Sequence, residues 1–112
     1  MSWTFVGAVF GFLGVAAGAF GAHALRGAVT PDRLEIFETA VRYQMYHSLA
    51  IVLSGILGAA RASTAFLIGI LIFSGSLYLL VLTGKRWLGA VTPIGGVSFL
   101  VGWILLALAA RR

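Results

Sequence analysis

His23 and His47 carry the most versatile chemistry in the chain, because imidazole titrates near neutral pH and can bind metals. His47 lies in a polar run, PDRLEIFETAVRYQMYHSL (31–49), that also holds Glu38, Arg42, Tyr43 and Gln44. Together His23, Glu38, Arg42, Tyr43, Gln44 and His47 form a candidate polar site. Proton transfer is the reaction such a set could serve. A satisfied polar cluster that holds a loop against its neighbours is the structural alternative. Metal binding fits poorly, since neither H-x-x-x-H nor E-x-x-H spacing occurs. A bis-histidine haem would need both rings on facing helices at one depth. No nucleophile–base pair or cofactor motif is found, so neither an enzyme nor a bound cofactor or metal is expected. The absence of cysteine removes disulfides, thiolate metal sites and Fe–S clusters.

The elements that must position these residues follow from composition. Of 112 residues, 61% are hydrophobic and 10% charged, and the mean hydropathy is +1.05. Too few polar residues remain to cover a soluble domain, so a membrane protein is expected. A helical crossing takes about 20 apolar residues. Four stretches qualify, at about 3–22, 43–60, 62–83 and 87–110. They are continuous rather than alternating, and four strands could not close a barrel, so helices are favoured. The expected fold is all-α: one integral-membrane domain over 1–112, an up-down-up-down four-helix bundle with short connections. Ala22-His23-Ala24 resembles a signal-peptide cleavage site, but no Lys or Arg precedes the first apolar run, so it reads as a retained helix.

Gly27-Ala28-Val29-Thr30-Pro31 recurs as Gly89-Ala90-Val91-Thr92-Pro93, at an offset of 62. Thr as N-cap followed by Pro starts a helix, so the spacing predicts starts at 31 and 93; the repeat reads either as two tandem helical hairpins or as convergent cap chemistry. Gly7, Gly11, Gly14, Gly18 and Gly21 recur every three or four residues, a seam for close packing within the chain or between copies. Ser74 and Ser76, with Tyr78 beyond them, make a polar patch in the third span.

The stretch 31–42 is expected as an amphipathic segment that leads into the second span from outside the hydrocarbon. That geometry puts His23 and His47 at nearly one depth. The alternative starts the span at Pro31 and buries His47 more than about 20 Å along it, out of reach of His23. The first is preferred because it keeps Glu38, Arg42 and Gln44 out of hydrocarbon. Glu38 and Arg42 stand i,i+4 with the acid first, the favourable order for an ion pair.

The strings GAFGAHAL (18–25), FETAVRYQMYHSLA (37–50), FSGSLY (73–78) and TPIGG (92–96) resemble the domain of unknown function 423 family, small bacterial inner-membrane proteins with relatives in animals. The resemblance covers nearly the whole chain. It implies a four-span inner-membrane protein and marks His23, Glu38, Tyr43, Gln44, His47, Ser74, Ser76, Tyr78 and Pro93 without assigning roles.

Arg26, Arg33, Arg42, Lys85 and Arg86 cluster at the side of the first and third connections, against Arg61, Arg111 and Arg112 at the other. This bias leans toward both termini outside. The net charge of +5 suits anionic membrane lipid; the scatter of charges gives no nucleic-acid face. A structural, accessory or lipid-interacting membrane protein is the leading expectation. The alternative is an oligomeric small-solute or proton-linked transporter, which would require homo-oligomers.

Overall fold

The computed structural model describes residues 2–111. Arg112, counted among the charges above, lies outside them. The described residues are all-α, with four helices: α1 (Trp3–Leu25), α2 (Pro31–Ile56), α3 (Ala60–Thr83) and α4 (Arg86–Ala110). By length and composition α1, α3 and α4 could each cross a membrane. α2 is as long, but Asp32, Arg33, Glu35, Glu38 and Arg42 lower the hydropathy of its first half.

Local chemistry sets the helix boundaries. Ser2 Oγ caps α1 by accepting from the Phe5 N–H at 3.0 Å. Thr30 caps α2, its hydroxyl accepting from the Arg33 N–H at 3.3 Å, and Pro31 occupies the first helical position. The α2–α3 connection is very tight. Gly58 turns it at φ +73°, and the Ala59 N–H returns to the Ser54 carbonyl at 2.8 Å.

The second copy of the repeat behaves differently. Residues Arg86–Ala90 already form a 3-10 turn, and Val91 is right-handed helical, so no extended cap position precedes Pro93. Thr92 is the first residue of the α-helical part rather than its N-cap. Its hydroxyl is buried and meets Ser76 Oγ at 2.6 Å. The two hairpins also differ in register. At the offset of 62, Gly69 is the counterpart of Gly7. Gly7 packs on Ser48 and Val52, whose counterparts fall at or beyond Ala110, yet Gly69 packs on Phe99.

Close backbone approach binds each pair. A Cβ on Gly7 would stand 2.8 Å from the Ser48 carbonyl oxygen, and one on Gly55 would stand 2.8 Å from the Thr4 nitrogen. Gly14 faces Met45, Gly18 faces Val41 and Gly21 faces Phe37, whereas Gly11 has only Ser48 Cβ at 4.0 Å. These partners run in opposite senses along α1 and α2. Between α3 and α4, Gly69, Gly95 and Gly102 sit against Phe99, Phe73 and Phe66. Small residues are what allow such contacts where lipid removes any hydrophobic drive between helices. The core gathers around Ile51, Phe66, Ile70 and Phe99, so α2 and α3 are central and α1 and α4 flank them.

Both α1 and α3 contain a π-helical turn, Ala17–Gly21 and Ile70–Ser74. Each adds a residue to its turn and shifts the faces on either side.

Candidate functional site

The expected single site does not form. Its residues divide among three places, because α2 is one continuous helix from Pro31 and successive side chains leave it about 100° apart. The preferred geometry sets 31–42 outside the hydrocarbon and the two histidines at nearly one depth; the equal depth is corrected, because 31–42 is the start of α2 and packs on α3. Phe37 packs on Tyr78 at 5.4 Å, Ser74 Oγ donates to the Ala40 carbonyl at 2.7 Å, and Asp32 lines a cavity with Gly84 and Arg86. Helix α2 therefore begins level with the α3–α4 connection.

His23 and His47 are consequently apart. Gly21 meets Phe37 and Gly7 meets Val52. The same register places His23 beside the first turns of α2 and His47 beside Phe12. Eleven residues along α1 correspond to about 16 Å of depth.

The first place is a notch of about 300 Å³ at the rim of the α1–α2 pair. His23 and Arg26 line it from one side, and Glu38 and Arg42 from the other. Gly18, Ala19 and Ala22 leave the space open, and the π-helical turn forms part of that wall. Arg42 Nη2 donates to Thr39 Oγ1 at 3.2 Å, and Thr39 in turn donates to the Glu35 carbonyl at 3.1 Å. Glu38 thus shares the notch with Arg42, while the recorded guanidinium hydrogen bond goes to Thr39.

The second place is buried and aromatic. His47 stacks on Phe99 with centroids 3.6 Å apart and planes 6° from parallel. Its Nδ1 lies 2.8 Å from the Tyr43 carbonyl, and Trp103 Nε1 lies 3.1 Å from its Nε2. A carbonyl only accepts, so Nδ1 carries a hydrogen; an indole N–H only donates, so Nε2 accepts. Both ring nitrogens are committed, and the tautomer is specified by its neighbours. Tyr43 and Tyr46 border this place on its exposed side.

The third place joins three helices at Gln44, which is 4% exposed. Gln44 Nε2 donates to the Phe10 carbonyl of α1 at 2.8 Å, and Tyr78 of α3 donates to Gln44 Oε1 at 2.6 Å. Ser74, Ser76 and Tyr78 do not act as one patch. Ser74 and Tyr78 bond α2, whereas Ser76 turns to Thr92 of α4. Further pairs follow the same scheme: Ser54 with Ser63 at 2.6 Å, and Ser98 Oγ donating to the Ala65 carbonyl at 2.7 Å. Among the described residues, every buried side-chain nitrogen and oxygen has a partner.

Sequence reasoning missed Arg26, Trp103, Phe99, Thr92 as a bonding group, Ser63 and Ser98. Phe99 and Trp103 sit in an uninterrupted apolar span, where nothing marks one aromatic as a histidine's partner. The Gly95 and Gly102 pair was a usable signal, since small residues mark the packed face of α4.

Residues 17–96 match the family described as "Protein of unknown function (DUF423)". The chain is 42% identical to the UPF0382 membrane protein YwdK of Bacillus subtilis (strain 168), over 96% of this chain and 94% of that protein. It is 44% identical to the UPF0382 membrane protein SAB0533 of Staphylococcus aureus (strain bovine RF122 / ET3-1), over 96% and 93%. The UPF0382 membrane protein SAUSA300_0565 of Staphylococcus aureus (strain USA300) is 46% identical over the same shares. No solved structure matches. The rim notch, the aromatic setting of His47 and the junction at Gln44 are therefore features of a chain that belongs to the DUF423 family of membrane proteins.

Proposed function

We propose that this protein is a structural or accessory component of the bacterial inner membrane, non-catalytic and non-conducting, that crosses the bilayer four times as an up-down-up-down bundle. One observation carries the reading: among the described residues every buried polar side chain is satisfied, and all of them but Ser48 bond a neighbouring helix. A solute path needs polar groups free to exchange partners along its length. Here Gln44, His47, Ser54 and Ser76 each hold a neighbouring helix. The fourth crossing is α2. Its register against α1, from Gly21–Phe37 to Thr4–Gly55, makes the two helices co-extensive, so α2 reaches as deep as α1 does. The basic residues around the start of α2 (Arg26, Arg33 and Arg42) and at the α3–α4 connection (Lys85 and Arg86) favour the cytoplasmic side there, with both termini outside.

The natural absence of cysteine makes a clean test available. Single cysteines at Ser2, Arg61 and Lys85 are labelled in cells with a membrane-impermeant maleimide. Labelling at positions 2 and 61 but not 85 is expected. Proteoliposomes should show no proton or cation flux above protein-free vesicles. Sustained flux that depends on the protein would replace this reading with the transporter.

A further inference from the structure

We propose that the rim notch between α1 and α2 binds the phosphodiester headgroup of an anionic membrane phospholipid. The inference rests on the membrane placement proposed above and adds a ligand to it. Arg26 and Arg42 supply guanidinium donors from opposite walls, and His23 adds a third donor or acceptor. Two arginines stand against one glutamate in the notch, a formal excess of one positive charge that complements the single negative charge of a phosphodiester. Arg42 spends one nitrogen on Thr39 and has further N–H donors available.

The surroundings favour a lipid over a free anion. The floor is alanine and glycine, and Val41 continues it along α2. Phe20, in the adjoining π-helical turn, is 75% exposed and offers an acyl chain an apolar surface beside the charged rim. Polar and apolar surfaces thus adjoin within one helical turn, at the end of α1 where the chain leaves the bundle. On the proposed topology this is the cytoplasmic leaflet, whose anionic lipids attract basic groups near helix ends. The π-helical turn has a part in it as well. It rotates Ala22 to Leu25 relative to the packed glycine face, and His23 comes to line the notch.

The test uses the full chain in nanodiscs holding equal phosphatidylglycerol, phosphatidylethanolamine and phosphatidylcholine, followed by native mass spectrometry of retained lipid. The wild type should retain phosphatidylglycerol in preference. Arg26→Gln and Arg42→Gln should each lower that preference about five-fold, the worth of one arginine near an anionic surface. Arg61→Gln, at the opposite end, should leave it unchanged. Ala22→Leu, which fills the notch and keeps both charges, should abolish it, and it decides the question if an arginine variant fails to fold. Inorganic phosphate added to the detergent-solubilised protein should not displace the retained lipid. Equal retention of the three lipids, an equal loss in Arg61→Gln, or displacement by phosphate overturns the proposal. An ion-tight protein without lipid preference sinks this inference alone. Protein-dependent flux sinks the function proposed above, whatever the lipid preference.

Discussion

Trp103 Nε1 of α4 donates to His47 Nε2 of α2 at 3.1 Å, across a gap that Phe99 fills by stacking on the imidazole. The histidine whose type suggested proton transfer serves as a joint between two helices, with the stacked phenylalanine as its packing surface. Tyr43 completes it by accepting from Nδ1 at 2.8 Å. Three consequences of the packing are open to measurement.

Trp103→Phe keeps most of the ring and removes the donor. It should destabilise the protein by about 1 kcal/mol, the scale of one interhelical hydrogen bond in a membrane. His47→Ala removes the ring, both bonds and the stacking surface, and should cost about 2–4 kcal/mol, as for other buried ring or large side-chain truncations. The pair Trp103→Phe and His47→Ala should be less than additive. Unfolding in mixed micelles, followed by helicity, checks this. Additive costs would mean that the two side chains act independently.

Glycine-to-alanine substitutions along α1 should divide sharply. Gly7→Ala, and Gly55→Ala on the facing helix, drive a methyl against backbone atoms at 2.8 Å and should cost about 1–3 kcal/mol. Gly11→Ala meets nothing nearer than 4.0 Å and should be neutral or stabilising, by up to about 1 kcal/mol from helix propensity. The same micelle unfolding reads all three. A uniform effect at the three positions would show that the seam packs less closely than described.

The two repeat threonines should respond to different replacements. Thr30→Asp should preserve α2, because a carboxylate caps a helix as well as a hydroxyl, while Thr30→Ala should cost about 1 kcal/mol. Thr92→Asp should cost more than Thr92→Ala, because it would bury a charge beside Ser76. Thermal loss of helicity in detergent gives the comparison. Equal tolerance of Asp at both positions would return Thr92 to the role of a simple cap.

Much of this architecture was legible in residue order. The apolar runs marked all four helices, Thr30-Pro31 marked one start, and the glycine spacing marked the face of α1 that meets α2. The separation of His23 and His47 is not legible in residue order, because the charges in 31–42 favour a place outside the hydrocarbon and do not show that one face of the stretch packs on α3. The rim accommodates those charges: Asp32 borders the α3–α4 connection, and Glu38 and Arg42 open into the notch, while Phe37 and Ala40 on the other face are buried. The role of Thr92 is not legible in its local motif, because its partner Ser76 approaches from another helix.

Composition and periodicity by themselves determined the class of the molecule. Too few charged groups remain to solvate 112 residues, and uninterrupted apolar runs can satisfy their backbone in lipid only as helices. Only the tertiary structure decided which polar side chains share a place. That depends on helix register, and register is set by where one backbone can approach another, at Gly7 against Ser48 or Gly95 against Phe73. A shift of one residue turns a side chain by about 100°. The same run of letters can therefore read as one polar site and fold as a rim notch, a histidine joint and a glutamine junction.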